Sequence, residues 1–354
     1  MDKIISIIIP SYNMELYLER CLNSLVIPSI DCVEIIIVND GSKDGTLRLA
    51  EGFKLKHPES VIIIDKKNGN YGSCINAGLK VATGKYVKIL DADDFFDTDV
   101  FQSFVELLTN LSVDTILTNF SHVNNLTSEL YYGRDLRNVG FPIEKIIGLD
   151  TAMKHLDYPL MHLITYRREL LLSIGYVQTE GASYTDTEWC FLPFAMSSSF
   201  IYLPVSLYRY VIGREGQTVS KEAWLKSNKS FFKIIVNMIK VYERVLLDCD
   251  NTQKAYLTNY LNVVYLSVLK RNIESKDPLA VGEFREFDNE LKTSYKKQYD
   301  YWASLPMSPY SNWPIVAKWR ASSYEINFKV PARIKLLEQF VCNIRKTRRK
   351  LALK

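Results

Sequence analysis

Three carboxylates crowd the end of one apolar run. In KYVKILDADDFFDTD, residues 85–99, Asp91, Asp93 and Asp94 follow directly on Lys85–Leu90. Like charges this close raise one another's pKa and destabilise a fold unless something balances them. Two balances are available. The acids can cap a helix starting near Asp94 or Asp97, where backbone N–H groups and the helix dipole favour negative charge. They can instead hold a divalent cation, because hard cations take carboxylate oxygens, and Mg²⁺ uses one or two protein carboxylates plus substrate phosphates. Asp91 and Asp93, with small Ala92 between them, suit the second use. On these residues alone the two readings stand level.

The elements around them weigh on the choice. Ile4–Ile9 is a β-branched run broken only by Ser6, the pattern of a strand buried on both faces. Val33–Val38, Val61–Ile64 and Lys85–Leu90 read as further strands. Between them Glu15–Leu25, Thr46–Lys56 and Ser73–Ala82 read as helices, the last closed by Thr83-Gly84. Strand and helix in alternation predict a mainly parallel, Rossmann-like α/β sheet flanked by helices. Ligands of such sheets bind outside the carboxyl ends of the strands. Polar clusters lie at three of those ends: Pro10-Ser11-Tyr12-Asn13, Asn39-Asp40-Gly41-Ser42 and Asp91-Ala92-Asp93. Helix caps alone do not predict that convergence. Asp44 reads as a helix-start residue, and Asp94 and Asp97 as caps of the helix that follows. Further on, Thr115–Phe120 is strand-like, Asp186–Met196 helical, and Ile201–Tyr210 a strand whose Pro204 implies an edge or a bulge. From about 222 the pattern turns helical, with Phe231, Ile234, Ile235, Met238 and Val241 on one face and Leu261, Val264 and Val268 on another. Residues 276–330, rich in Tyr and Trp, give no clear parse.

Bulk properties narrow the class. A chain of 354 residues is long for one core and implies a large domain with a second part. Six scattered cysteines without a CxxC pair exclude a zinc ribbon and fit a reducing, cytoplasmic setting. MDKIISIIIP is too short an apolar stretch for a signal peptide or a membrane span. Net charge is +4, yet residues 331–354 alone carry +7, so residues 1–330 are net −3. That balance, with no nucleic-acid motif, argues against a nucleic-acid partner.

Taken in order and at their separations, IIIPSYNMELYLERCLNSL, EIIIVNDGSKDGT, NGNYGSCINAGLKVATGKYVKILDADD and YTDTEW resemble glycosyltransferase family 2 over residues 3–220. These are inverting enzymes on the A-type glycosyltransferase fold. DxD alone, or DGS alone, would be a weak sign; the ordered set is specific. The resemblance implies a metal-dependent transfer from a UDP-sugar to an acceptor hydroxyl, with a β-linkage formed. It implies that Pro10, Tyr12 and Asn13 lie near uracil, that Asp40 accepts its imide N–H, and that Asn70 and Gly72 line the nucleotide pocket. It implies that Asp91 and Ala92 approach the ribose, that Asp93 ligates Mn²⁺ or Mg²⁺, and that Asp186 is the general base. Thr185 departs from the family's usual Glu-Asp pair, which leaves Glu188 as a rival; without the family, Asp186 reads as an N-cap. Arg214, in YVIGREGQTVS, has the fork geometry for diphosphate oxygens, and a solvated loop accounts for it equally well. His162 falls in the acceptor region, where a lone histidine is more often structural.

The predicted layout is a nucleotide-sugar domain over residues 1–220 and a helical region over 221–354. The latter ends in a basic amphipathic helix, with Ile334, Leu337, Val341 and Ile344 at helical spacing. That tail suits the inner membrane surface, a solvated helix or a homo-oligomer seam. The acceptor implied is a saccharide or lipid-linked saccharide of bacterial surface polysaccharide assembly. Two rivals stand beside this reading. A nucleotidyltransferase would carry a Gly-rich basic loop after its first strand, and PSYN lacks one. A non-catalytic family member would act as a partner subunit; Asp93 and Asp186 argue against it.

Overall fold

The computed structural model describes residues 2–156, 158–214, 226–308 and 311–336, together with 224 and 339. The tail residues Leu337, Val341 and Ile344 lie outside them. The chain divides into two compact units, residues 1–217 with 248–257, and residues 218–247 with 258–354.

The first unit is built on a nine-stranded sheet. Strands β1 (Ile5–Ser11), β2 (Val33–Asn39), β3 (Val61–Asp65) and β4 (Tyr86–Ile89) lie parallel in the order β3-β2-β1-β4. Every residue of β1 and β2 is buried, as their β-branched runs predict. Helices α1 (Leu18–Asn23), α2 (Thr46–Lys56), α3 (Asn70–Val81) and α4 (Thr98–Asn110) make the connections. Helix α2 has the predicted ends, because Asp44 Oδ1 accepts the Thr46 N–H at 3.0 Å.

Beyond β4 the sheet becomes mixed. Strands β5 (Phe95–Phe96), β6 (Thr115–Asn124), β7 (Leu130–Arg134), β8 (Ile164–Arg167) and β9 (Phe200–Ile212) complete it. β8 lies antiparallel between β4 and β6, β7 pairs antiparallel with β6, and β9 runs parallel to β6 and antiparallel to β5. β9 is therefore internal, not an edge. Its Pro204 falls where the register against β6 shifts, between the pairs Leu117↔Tyr202 and Asn119↔Ser206. A residue without an N–H is tolerated in such a bulge. The remaining helices of this unit are short: α5 (Leu149–His155), α6 (Arg168–Ser173), α7 (Asp186–Trp189) and α8 (Leu192–Met196). The predicted helix 186–196 is thus two pieces, with Pro193 opening the second.

In the second unit, α9 (Asn228–Val245), α10 (Asn251–Ser275, which begins in the first unit), α11 (Pro278–Ser294), α12 (Lys296–Ala303) and α13 (Ile315–Ala321) pack aromatic side chains together. Phe232 stacks on Phe287 at 4.4 Å, and Tyr265 on Trp302 at 3.8 Å. A charge pair sits in this apolar setting. Asp288 is fully buried and takes Arg320 Nε at 2.7 Å and Nη2 at 2.6 Å. The Tyr324 hydroxyl donates to it at 2.7 Å, and Arg320 lies 3.5 Å over the Tyr299 ring. Removing one partner strands a buried charge, so Arg320→Ala should cost about 3–5 kcal/mol. A urea unfolding curve checks this; a loss under about 1 kcal/mol would mean that water reaches Asp288.

Candidate active site

The acids of the opening motif leave β4 at its carboxyl end and meet side chains from five other segments. The Tyr71 hydroxyl, from α3, donates to Asp91 Oδ1 at 2.7 Å. The Asp91 N–H donates to the Tyr208 hydroxyl of β9 at 3.2 Å. Asp93 Oδ2 is ion-paired with Arg214 Nε, and Arg20 of α1 donates to the Asp93 carbonyl at 3.1 Å. Ala92 is buried between the two acids.

Asp94 corrects the sequence reading. It is no cap: its Oδ1 accepts the Val211 N–H at 2.8 Å and its Oδ2 the Tyr208 hydroxyl at 2.7 Å, and it is fully buried. The cap of α4 is Asp97 alone, accepting the Val100 N–H at 3.1 Å. Asp94 thus ties the acid loop to β9, an association its sequence position could not reveal.

The electrostatics follow from burial. Asp91 is pushed up to about 7 by loss of water, reinforced by the charge of Asp93. Asp94 is raised well above the usual carboxylate range for the same two reasons. Burial also raises Asp186, at the start of α7, and Asp186 in turn adds to the field at Asp91 and Tyr71. The predicted metal group and the predicted base are therefore brought together. The rival base is not available. Glu188 Oε2 accepts the Thr179 N–H and Oε1 the Thr179 hydroxyl, both at 2.7 Å, so it braces the 178–185 segment. Thr185, in place of the family's Glu, donates to Gln178 at 2.8 Å in the same brace.

His162, in the turn before β8, belongs to this cluster. Asp91, Asp94 and His162 each offer a ligand atom within 4.8 Å of the others. The His162 ring lies 4.7 Å from Tyr208 and 4.8 Å from Tyr210, and its Nδ1 is buried without a hydrogen-bond partner among the described residues. Burial and the nearby Lys88 lower its pKa to about 3, so the imidazole is neutral. Carboxylates beside a neutral imidazole nitrogen left unsatisfied form a donor set that fits Mn²⁺ better than Mg²⁺, which prefers oxygen alone; Asp93, the predicted ligand, stands outside this set and is held by Arg214. The sequence carried one signal for His162, its place in the acceptor region, and none for its closeness to Asp91.

The remaining predicted residues form a second cluster at the ends of β1 and β2. Asp40 is buried; its Oδ1 accepts Lys66 Nζ at 2.6 Å and the Gly69 N–H at 2.9 Å. The buried Cys74 thiol also interacts with this carboxylate. Tyr12 is 44% exposed, which leaves its ring face open for stacking. Asn13 adopts φ 54° and accepts the Lys43 N–H at 2.9 Å, joining the two loops. Pro10 does not face outward: it is a buried residue of β1 in register with Val38. Asn70 opens α3 at φ 65° and is exposed. Gly72 has a packing role, since a Cβ there would lie 2.3 Å from the Thr179 carbonyl oxygen.

Comparison with known proteins agrees with this architecture. The chain is 24% identical over 292 residues to the minor teichoic acid biosynthesis protein GgaB of Bacillus subtilis (strain 168), covering 80% of this chain and 31% of GgaB. It is 20% identical over 258 residues to the glycosyltransferase GlyG of Streptococcus pneumoniae serotype 4 (strain ATCC BAA-334 / TIGR4), covering 70% of this chain and 81% of GlyG. It is 34% identical over 120 residues to the glycosyltransferase EpsJ of Bacillus subtilis (strain 168), covering 34% of this chain and 35% of EpsJ. The chain therefore spans about a third of the length of GgaB and of EpsJ. Its fold is that of S. aureus TarS residues 1–349, solved in complex with UDP-GlcNAc, at TM-score 0.60 and 20% identity over 93% of this chain and 95% of that one. Residues 6–175, just under half of the chain, match the family described as glycosyl transferase family 2.

Proposed function

We propose that the protein is an inverting glycosyltransferase. It moves a sugar from a UDP-sugar to a hydroxyl of a bacterial surface polymer or of its lipid-linked precursor. The observation that carries this reading is the meeting of Asp91, Asp93 and Asp94 with half-buried Asp186 at the carboxyl end of the sheet. The UDP-GlcNAc complex of TarS, a protein of the same fold, supports the choice of donor.

In this reading Tyr12 stacks on uracil, and the Asp40 carboxylate accepts the imide N–H. Asn13, Asn70 and Gly72 shape the pocket wall. Asp91 faces the ribose, while Asp93 holds Mg²⁺ or Mn²⁺, which supplies positive charge to the diphosphate as UDP departs. Asp186 takes the proton of the acceptor hydroxyl. That oxygen forms its bond to the anomeric carbon as the bond to the diphosphate oxygen breaks, so an α-linked donor yields a β-linked product. Burial suits Asp186 to the task, because a base whose pKa is lifted toward neutrality accepts a proton more readily. The first 220 residues carry this chemistry. Among the described residues no helix is long and apolar enough to cross a membrane. We place the enzyme on the cytoplasmic side, with the basic tail at the membrane surface.

Calorimetric titration with UDP, in Mn²⁺ and then in EDTA, tests the donor site. Binding should require the metal and disappear in Asp93→Ala; a panel of UDP-sugars then ranks the donors. Absence of UDP binding under every metal condition would sink the reading.

A further inference from the structure

We infer that Arg214 is the built-in counter-cation of Asp93, so that a divalent metal and this guanidinium compete for one carboxylate and the nucleotide decides between them. The inference rests on the proposed function and adds an order to its binding steps. Three observations carry it. Arg214 Nε pairs with Asp93 Oδ2, on the very group expected to ligate the metal. The pair is largely withdrawn from water, with side-chain exposures of 13% and 11%. The guanidinium also lies 5.5 Å over the Tyr17 ring, so its position is set by a second contact.

The chemistry follows. A guanidinium stays charged at any working pH and cannot vacate Asp93 by losing a proton. A shielded pair is costly to open, because each charge is left without its partner. A metal ion arriving alone would have to displace Arg214 and then sit beside its positive charge. A diphosphate removes both obstacles. Its oxygens match the guanidinium fork, so Arg214 can exchange Asp93 for phosphate, and its negative charge offsets the two cations now side by side. Asp93 is then free for the metal, which also reaches the phosphates. Metal and nucleotide should therefore bind with positive coupling, and linkage makes that coupling equal in both directions. Like-charge crowding acts the same way: with Arg214 drawn off, Asp91, Asp93 and Asp94 attract a divalent ion more strongly.

The test measures Mn²⁺ affinity directly, by electron paramagnetic resonance of free Mn²⁺ at pH 8, for the wild type, Arg214→Gln and Arg214→Lys, each with and without UDP. For the wild type, UDP should tighten Mn²⁺ roughly tenfold or more. In Arg214→Gln, Mn²⁺ alone should bind several-fold tighter than to the wild type, and the effect of UDP should shrink. Arg214→Lys keeps the charge beside Asp93, so Mn²⁺ alone should bind about as to the wild type, while loss of the fork should weaken the effect of UDP; this separates competition from a general loss of packing. Melting curves confirm that each variant is folded. If Arg214→Gln binds Mn²⁺ alone no tighter than the wild type does, the competition does not exist and the inference is overturned. Failure of the donor reading looks different: UDP would bind to no variant, while the comparison in Mn²⁺ alone would still be read.

Discussion

Asp186→Asn should lower kcat by about 10²- to 10⁴-fold, the range typical of a lost general base, while UDP affinity stays within about twofold. The asymmetry is the informative part. Asp186 faces the acid cluster closely enough to raise the pKa of Asp91 and Tyr71, and it belongs to α7, whereas Asp40 and Tyr12 belong to the ends of β2 and β1. An amide keeps the size of the side chain and cannot take the acceptor's proton. Two nearby groups could in principle stand in, and neither is placed to do so. Both carboxylate oxygens of Glu188 are occupied by Thr179, and Thr185 is turned toward Gln178. Glu188→Gln should accordingly change kcat far less than Asp186→Asn. Steady-state transfer assays with calorimetric UDP titration on the same preparations check both. Retention of more than half the wild-type kcat in Asp186→Asn would move the base elsewhere. The acid limb of the wild-type kcat/KM profile should also lie above the ordinary carboxylate range, since burial raises Asp186.

Much of this arrangement was legible in the sequence, for a physical reason. Strands buried on both faces must be written as β-branched runs, so β1 to β4 stand out. Polar residues at their ends have no structural excuse, so the site stands out too. Legibility fails where long-range partners decide. Asp94 looks like a helix cap because it precedes a helix; only Tyr208 and Val211, more than a hundred positions away in the chain, show that it ties two strands together. Pro10 looks like a loop residue because proline usually is one, yet it lies within β1. The Asp288–Arg320 pair joins two helices in a stretch whose aromatic content hides its period. The short β7, on the far side of a turn from β6, carries Gly133 and gave no strand signal.

Lys88 is the sharpest case of a residue the sequence could not explain, and it yields the second large effect. It sits in the middle of β4 with no exposure at all, donating to the backbone carbonyls of His162 at 3.0 Å and Ile164 at 3.1 Å. Those bonds fix the turn that carries Met161 behind Tyr71 and His162 beside Asp91. Burial pushes the Lys88 pKa down from 10.5 to about 7. The sign follows from proton binding. The unfolded chain keeps this proton up to about pH 10, while the folded protein releases it near 7. Between those limits the unfolded state binds more protons, so stability rises with pH, by up to about 1.4 kcal/mol per unit. Lys88→Met removes the titration. It also strands two carbonyls, at about 1–3 kcal/mol each, and spares the burial of an ammonium, so the two substantially offset each other at pH 7. At pH 9 the wild type has a neutral amine that still donates, and only the loss remains. The variant's deficit should therefore grow by about 2–3 kcal/mol between pH 7 and pH 9. Urea unfolding of both proteins at the two pH values measures it, and the difference between them cancels the titrating groups that Lys88 does not influence. A deficit that stays constant with pH would mean that Lys88 keeps its charge in the fold, held by the carbonyls and by the Tyr208 ring 5.9 Å away.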